Sequence, residues 1–125
     1  MSIKMTLRQA IAAYQALDAL PKIPNGKISY TLGYIGDKLE QHVRQFDKQR
    51  QKLTREMSEQ DKEGKRVIPA GKVEAFSDAL EDMLDVEIEI SRDPVKLTDV
   101  LGGNPEVAPQ IEPNVLRRLQ LVIVE

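Results

Sequence analysis

The residues "LDVEIEIS", 84–91, set three carboxylates, Asp85, Glu87 and Glu89, at alternate positions. In an extended strand that spacing puts them on one face and Val86, Ile88 and Ile90 on the other. A row of carboxylates is the raw material of a metal site or an acid/base pair. Alternate residues of a strand stand about 6.7 Å apart, whereas a two-metal site holds its ions about 3.5–4 Å apart and takes ligands from several elements. One strand can supply part of such a site and never the whole. A nuclease-type Glu-x-Lys pattern is also missing, since the next lysine is Lys96, beyond Pro94. Two unit charges about 7 Å apart in water repel by only about 0.6 kcal/mol, so a wet acidic row persists without a ligand. The expectation is a solvated or salt-bridged face, with the isoleucines in the core and no metal ligand assigned.

Other chemistry is sparse. His42 is the one histidine; no Gly-x-Ser-x-Gly elbow accompanies it, and the middle of a helix is a poor place for a nucleophile's base. "GYIG" and "LGGNP" match neither the phosphate-cradling loop that ends in Gly-Lys-Ser/Thr nor the strand, Gly-x-Gly-x-x-Gly and helix of a dinucleotide site. With no cysteine, disulfides, thiolate zinc sites and cysteine nucleophiles are excluded together. No catalytic residue, metal or cofactor is therefore assigned, and the chain reads as a non-enzyme.

The serious binding candidate is "RQFDKQRQKLTR". Arg44, Lys48, Lys52 and Arg55 recur at steps of four, four and three, which lines them along one side of a helix where an acidic protein or phosphates could bind. The charges segregate. Residues 44–55 carry a net +4, with Asp47 the single acid, and residues 74–93 a net −7, with Arg92 the single base, although the whole chain is only −2 from 18 basic and 20 acidic residues. The plain reading is a solvated helix face in a charge-rich protein; as a binding surface, near-neutral total charge, 4% aromatic residues and the lack of a reader motif favour a protein partner over nucleic acid.

The elements that must hold these residues follow from periodicity. "SIKM" alternates as a short strand. Thr6 is a fitting N-cap for "LRQAIAAYQALDAL", where Leu7, Ile11, Tyr14 and Leu17 share a face and Pro21 follows the end. "PKIPNG" is a turn. Next, Ile28, Leu32, Ile35, Leu39, Val43, Phe46, Leu53 and Met57 form one helical stripe. A helix over 27–60 would be about 51 Å long, against about 36 Å across for a compact domain of this length. It must break, project, or pack on another copy. Gly33 and Gly36 either allow close approach of the alanine-rich first helix or mark a broken first turn, and the sequence leaves both open.

"SEQDKEGKR" reads as a polar loop and "VIP" as a short strand. Residues 72–84 read as a helix with Val73, Phe76, Leu80, Met83 and Leu84 on one face. "VEIEI" is a strand, and "VKLTDVL" a short apolar segment with Asp93 or Thr98 as its cap. "GGNPEVAPQIEP" is a surface loop, and "NVLRRLQLVIVE" one or two helical turns and then a terminal strand. The run Leu121–Val124 needs a sheet partner, because a bare apolar edge would aggregate or dimerise. The fold class is α+β in a single domain, 1–125: a helical hairpin over 1–60 with one long helix, and an α+β portion over 67–125. The latter and the N-terminal strand build a small, mainly antiparallel sheet. No apolar run approaches the about 20 residues of a membrane span, and "MSIKMTLRQAIAAYQAL" lacks a signal peptide's apolar stretch. A soluble chain is expected.

The order of parts, "YQALDALP", a Pro-Asn-Gly turn, "LGYIGDKLEQHVRQFDKQRQKL", a polar loop, "AFSDALEDMLDVEIEI" and "VKLTDV", resembles a group of small phage and prophage proteins of unknown function over about Leu7 to Val124. "GGNPEVAPQIEP" departs from that pattern. The resemblance implies a phage accessory or assembly-related protein in the host cytoplasm or the virion, and it supplies no site residues. The expected function is protein–protein contact through the long helix, with a phage or host protein as partner and homo-oligomers possible. The alternatives are nucleic-acid binding through Arg44, Lys48, Lys52 and Arg55, and a small metal-dependent enzyme using Asp85, Glu87 and Glu89.

Overall fold

The computed structural model describes residues 2–21, 23, 26–101 and 111–124. Strand β1 (Ile3–Thr6) runs directly into helix α1 (Leu7–Asp18), and Thr6 makes the junction. Its hydroxyl accepts from the Gln9 backbone N–H at 3.2 Å while the Gln9 side chain accepts from the Thr6 N–H at 2.9 Å. This capping box satisfies two otherwise orphaned donors and fixes where strand becomes helix. The helix ends before Pro21, as expected. Ala10, Ala13 and Ala16 are all but fully buried, and this small-residue face packs against helix α2 (Gly26–Met57).

Helix α2 is continuous over 32 residues, about 48 Å at 1.5 Å per residue, so the glycines do not break it. Gly36 lies in ordinary contact with α1, a Cβ there meeting Leu17 Cδ1 at 3.5 Å, whereas a Cβ on Gly33 would meet nothing within 4 Å. Close approach therefore applies to Gly36 and not to Gly33.

The apolar stripe of α2 divides in two. Leu32, Ile35 and Leu39 are buried, while Val43, Phe46, Leu53 and Met57 are only half-buried. The first half meets α1 and the segment through Val95 and Lys96; the second lies beside helix α3 (Val73–Leu84). No residue of α3 is fully buried.

The return from α2 to α3 corrects one expectation. "SEQDKEGKR" is not a plain loop but a hairpin of β2 (Glu59–Gln60) and β3 (Arg66–Val67). Asp61 builds its turn, Oδ1 accepting from the Glu63 and Lys65 N–H groups at 2.8 and 2.9 Å. Gly64 has φ +81°, the left-handed region that glycine enters at no steric cost. Ser58, the buried polar residue at the hairpin's base, accepts a bond from Arg66 Nη1 at 3.0 Å.

Strand β4 (Glu87–Ile90) pairs antiparallel with β1 in the register Ile3↔Ile90, Lys4↔Glu89, Met5↔Ile88 and Thr6↔Glu87. Ile3, Met5, Ile88 and Ile90 are buried and Lys4, Glu87 and Glu89 exposed, the alternation of a sheet with one wet face. Strand β5 (Val95–Lys96) leads straight into the short helix α4 (Leu97–Leu101). With Leu97 as its first residue, Thr98 lies inside α4 and Asp93 before β5, so neither caps it. Helix α5 (Pro113–Arg118) precedes β6 (Ile123–Val124), which pairs in parallel with β5. That pairing covers the terminal apolar run: Val122 and Ile123 are buried.

The architecture is α+β, with one long helix and mainly antiparallel strands. The strands form three separate two-stranded ladders rather than one sheet. Buried residues from Ile3 to Ile123 meet in one hydrophobic cluster. "GGNPEVAPQIEP" lies outside the described residues except at its C-terminal end, residues 111–113.

Candidate interaction surface

The carboxylate row does not survive folding as three members. Asp85 is the C-cap of α3, with φ −88° and ψ −3°, so its backbone is helical and its side chain leaves the strand's alternation. Val86 shifts with it and is 53% exposed rather than in the core. Glu87 and Glu89 remain on the wet face opposite Thr6 and Lys4, and a lysine directly across a ladder offsets a carboxylate's repulsion. Among the described residues no three His, Cys, Asp or Glu side chains cluster closely enough to hold a metal ion. No buried side-chain nitrogen or oxygen among them lacks a hydrogen-bond partner, so none is left aimed at an absent ligand. His42 is half-buried on α2 with no carboxylate or hydroxyl bonded to it among the described residues.

The basic residues fall where helical spacing puts them. Arg44, Lys48, Lys52 and Arg55 are all exposed on α2, and Lys48 lies about half a turn round the helix from buried Leu39. Arg44 is held by Glu40 at 2.6 Å, one turn back on the same helix, and Arg50 by Asp47 at 3.5 Å. Lys48, Lys52 and Arg55 make no ion pair among the described residues. Arg55 sits in the last turn of α2, where a cation complements the helix dipole.

The acidic surface is the outward face of α3. Glu74, Asp78, Glu81, Asp82 and Asp85 are exposed, whereas Phe76, Leu80 and Met83 are half-buried, and Ala79 and Met83 lie beside α2. Arg8 of α1 bonds Glu81; the other four make no ion pair among the described residues. The basic row of α2 and the acidic row of α3 thus do not meet within the chain. The helices meet along a groove lined by Gln49, Lys52, Leu53 and Glu56 of α2 and by Ala79 and Met83 of α3, so the basic row borders the seam at Lys52.

Sequence reasoning missed two features. Towards its N-terminus α2 carries Lys38, Tyr34, Tyr30 and Lys27, a run at helical spacing that periodicity could have found. Tyr30 is 71% exposed. The Tyr34 ring carries two cations, the Arg92 guanidinium 4.2 Å and the Lys38 ammonium 5.4 Å from its centroid, within the range of cation–π attraction. The second feature is the half-open seam between α2 and α3, with Val73 51% exposed near its tip. Nothing local in the sequence signals it.

Among the described residues no helix is long and apolar enough to cross a membrane. Comparison with protein-family models, with curated proteins and with solved structures finds no match for this chain.

Proposed function

We propose that this chain is a non-enzymatic accessory or assembly-related protein that works by protein–protein contact, with the distal half of α2 as its contact surface. The resemblance to small phage and prophage proteins is the ground for a phage setting, in the host cytoplasm or the virion. The observation that carries the contact reading is the row Lys48, Lys52 and Arg55, exposed and without ion pairs among the described residues, on a helix that outruns its own core. A cation row held on a rigid helix steers an acidic partner and sets its register more than it adds affinity. Photo-cross-linking tests this, with the probe at Lys48 or Lys52 of the full chain in phage-infected cells and at Asn114 of α5 as control. A defined adduct from α2 and none from α5 is expected; no adduct from either α2 position would overturn the reading.

One observation favours a second reading. Tyr30 stands exposed on the same side of α2 as Lys27, Lys38, Lys48 and Lys52, and an aromatic among cations is the arrangement that stacks bases of a single strand. This reading predicts binding of a fluorescent single-stranded oligonucleotide at low salt that weakens with salt and with Y30A. No binding at about 50 mM salt, where phosphate contacts are strong, would end it.

A further inference from the structure

We infer that the distal α2–α3 arm docks on a second copy of this chain, the basic row of one copy's α2 against the acidic row of the other's α3. The inference rests on the protein-contact reading and names its partner.

The two rows have the same pitch. Arg44, Lys48, Lys52 and Arg55 follow one another at steps of four, four and three; so do Glu74, Asp78, Asp82 and Asp85. On helices each step of four advances about 6 Å, so cations and carboxylates fall into register when one helix is laid along the other. Rows at i±4 are also the ridges that interdigitate when two helices cross at about −50°, and such a crossing centres the contact on Lys48 and Lys52 against Asp78 and Asp82. These four are exposed and make no ion pair among the described residues, so docking breaks nothing already formed.

Exposed ion pairs are individually weak and screened by salt, so the association depends on concentration and ionic strength.

Sedimentation equilibrium on the nuclease-treated full chain tests this. At about 50 mM salt the weight-average mass should rise with concentration above 14.1 kDa, and at about 1 M salt, where the Debye length is about 3 Å, it should return to the chain mass. K48Q/K52Q and D78N/D82N change exposed side chains only, and each alone should stay monomeric. Mixed in equal amounts, the two should form a 1:1 pair of twice the chain mass and grow no further, because each keeps one intact row. A chain mass at every concentration in low salt would overturn the inference. So would assembly unchanged in either variant, or assembly lost on nuclease treatment, which would point to nucleic acid instead. A monomer whose Lys48 probe still captures a different protein would sink self-association and leave the protein-contact reading standing.

Discussion

Thr6 does two jobs in one position, ending β1 in pairing with Glu87 and opening α1 with its hydroxyl. Removing the cap leaves an N–H of the first turn without its partner at the start of the helix that carries the buried alanines. Thr6→Ala should cost about 1 kcal/mol, a fall of about 4 °C in Tm for a chain of this size, measurable by circular dichroism. Gly64 is the other residue whose identity its backbone demands. At φ +81° a Cβ is disfavoured by about 1–2 kcal/mol, although a Cβ there would touch nothing within 4 Å. Gly64→Ala should therefore destabilise through conformation alone. Its effect should appear as faster amide exchange in the hairpin, with little change in core packing by near-ultraviolet circular dichroism.

Helix α2 is one element with two environments. Leu39 is fully buried in the core, whereas Leu53 is half-buried beside α3. Leu39→Ala should cost about 2–5 kcal/mol and Leu53→Ala about 1 kcal/mol, compared by urea unfolding. The same division should show in hydrogen exchange. Amides near residues 32–39 open only with the core, while those near 47–57 open locally, and rates at least about tenfold apart are expected. Equal protection along the helix in dilute, high-salt solution would contradict the half-covered arm. The stripe itself was legible from residue spacing, because 3.6-residue periodicity is a property of near neighbours. That only its first half would be deeply covered was not, because coverage is supplied by Ala10 to Ala16, Val95 and Ile123, which lie far away in sequence.

At the scale of the whole molecule, a helix of about 48 Å in a chain whose compact form would be about 36 Å across makes the shape elongated. Small-angle scattering at high salt should give a radius of gyration above the about 14 Å of a compact 125-residue chain. A value at or below that would mean the arm folds back. The hairpin of β2 and β3 stiffens the arm's end, and Lys72 holds it to α3 by an ion pair with Glu59 at 3.1 Å.

Much of this protein was determined by the sequence on its own. The Thr6 cap, the helix end before Pro21, the alternation of Ile88 and Ile90, and the separation of basic from acidic residues are all local, and local geometry obeys local chemistry. The candidate site was legible to the same depth: Arg44, Lys48, Lys52 and Arg55 fall on one exposed side because their spacing requires it. Tertiary structure alone decided that Asp85 closes a helix rather than extending a strand, that Val86 faces water, and that Arg8 reaches Glu81. It also decided that α2 and α3 pack side by side, with Lys52 and Leu53 bordering Ala79 and Met83. Those outcomes depend on contacts such as Ile3↔Ile90 and Val95↔Ile123. Such contacts form only when burial of apolar surface outweighs the entropy of closing long loops, and that balance is a property of the whole chain.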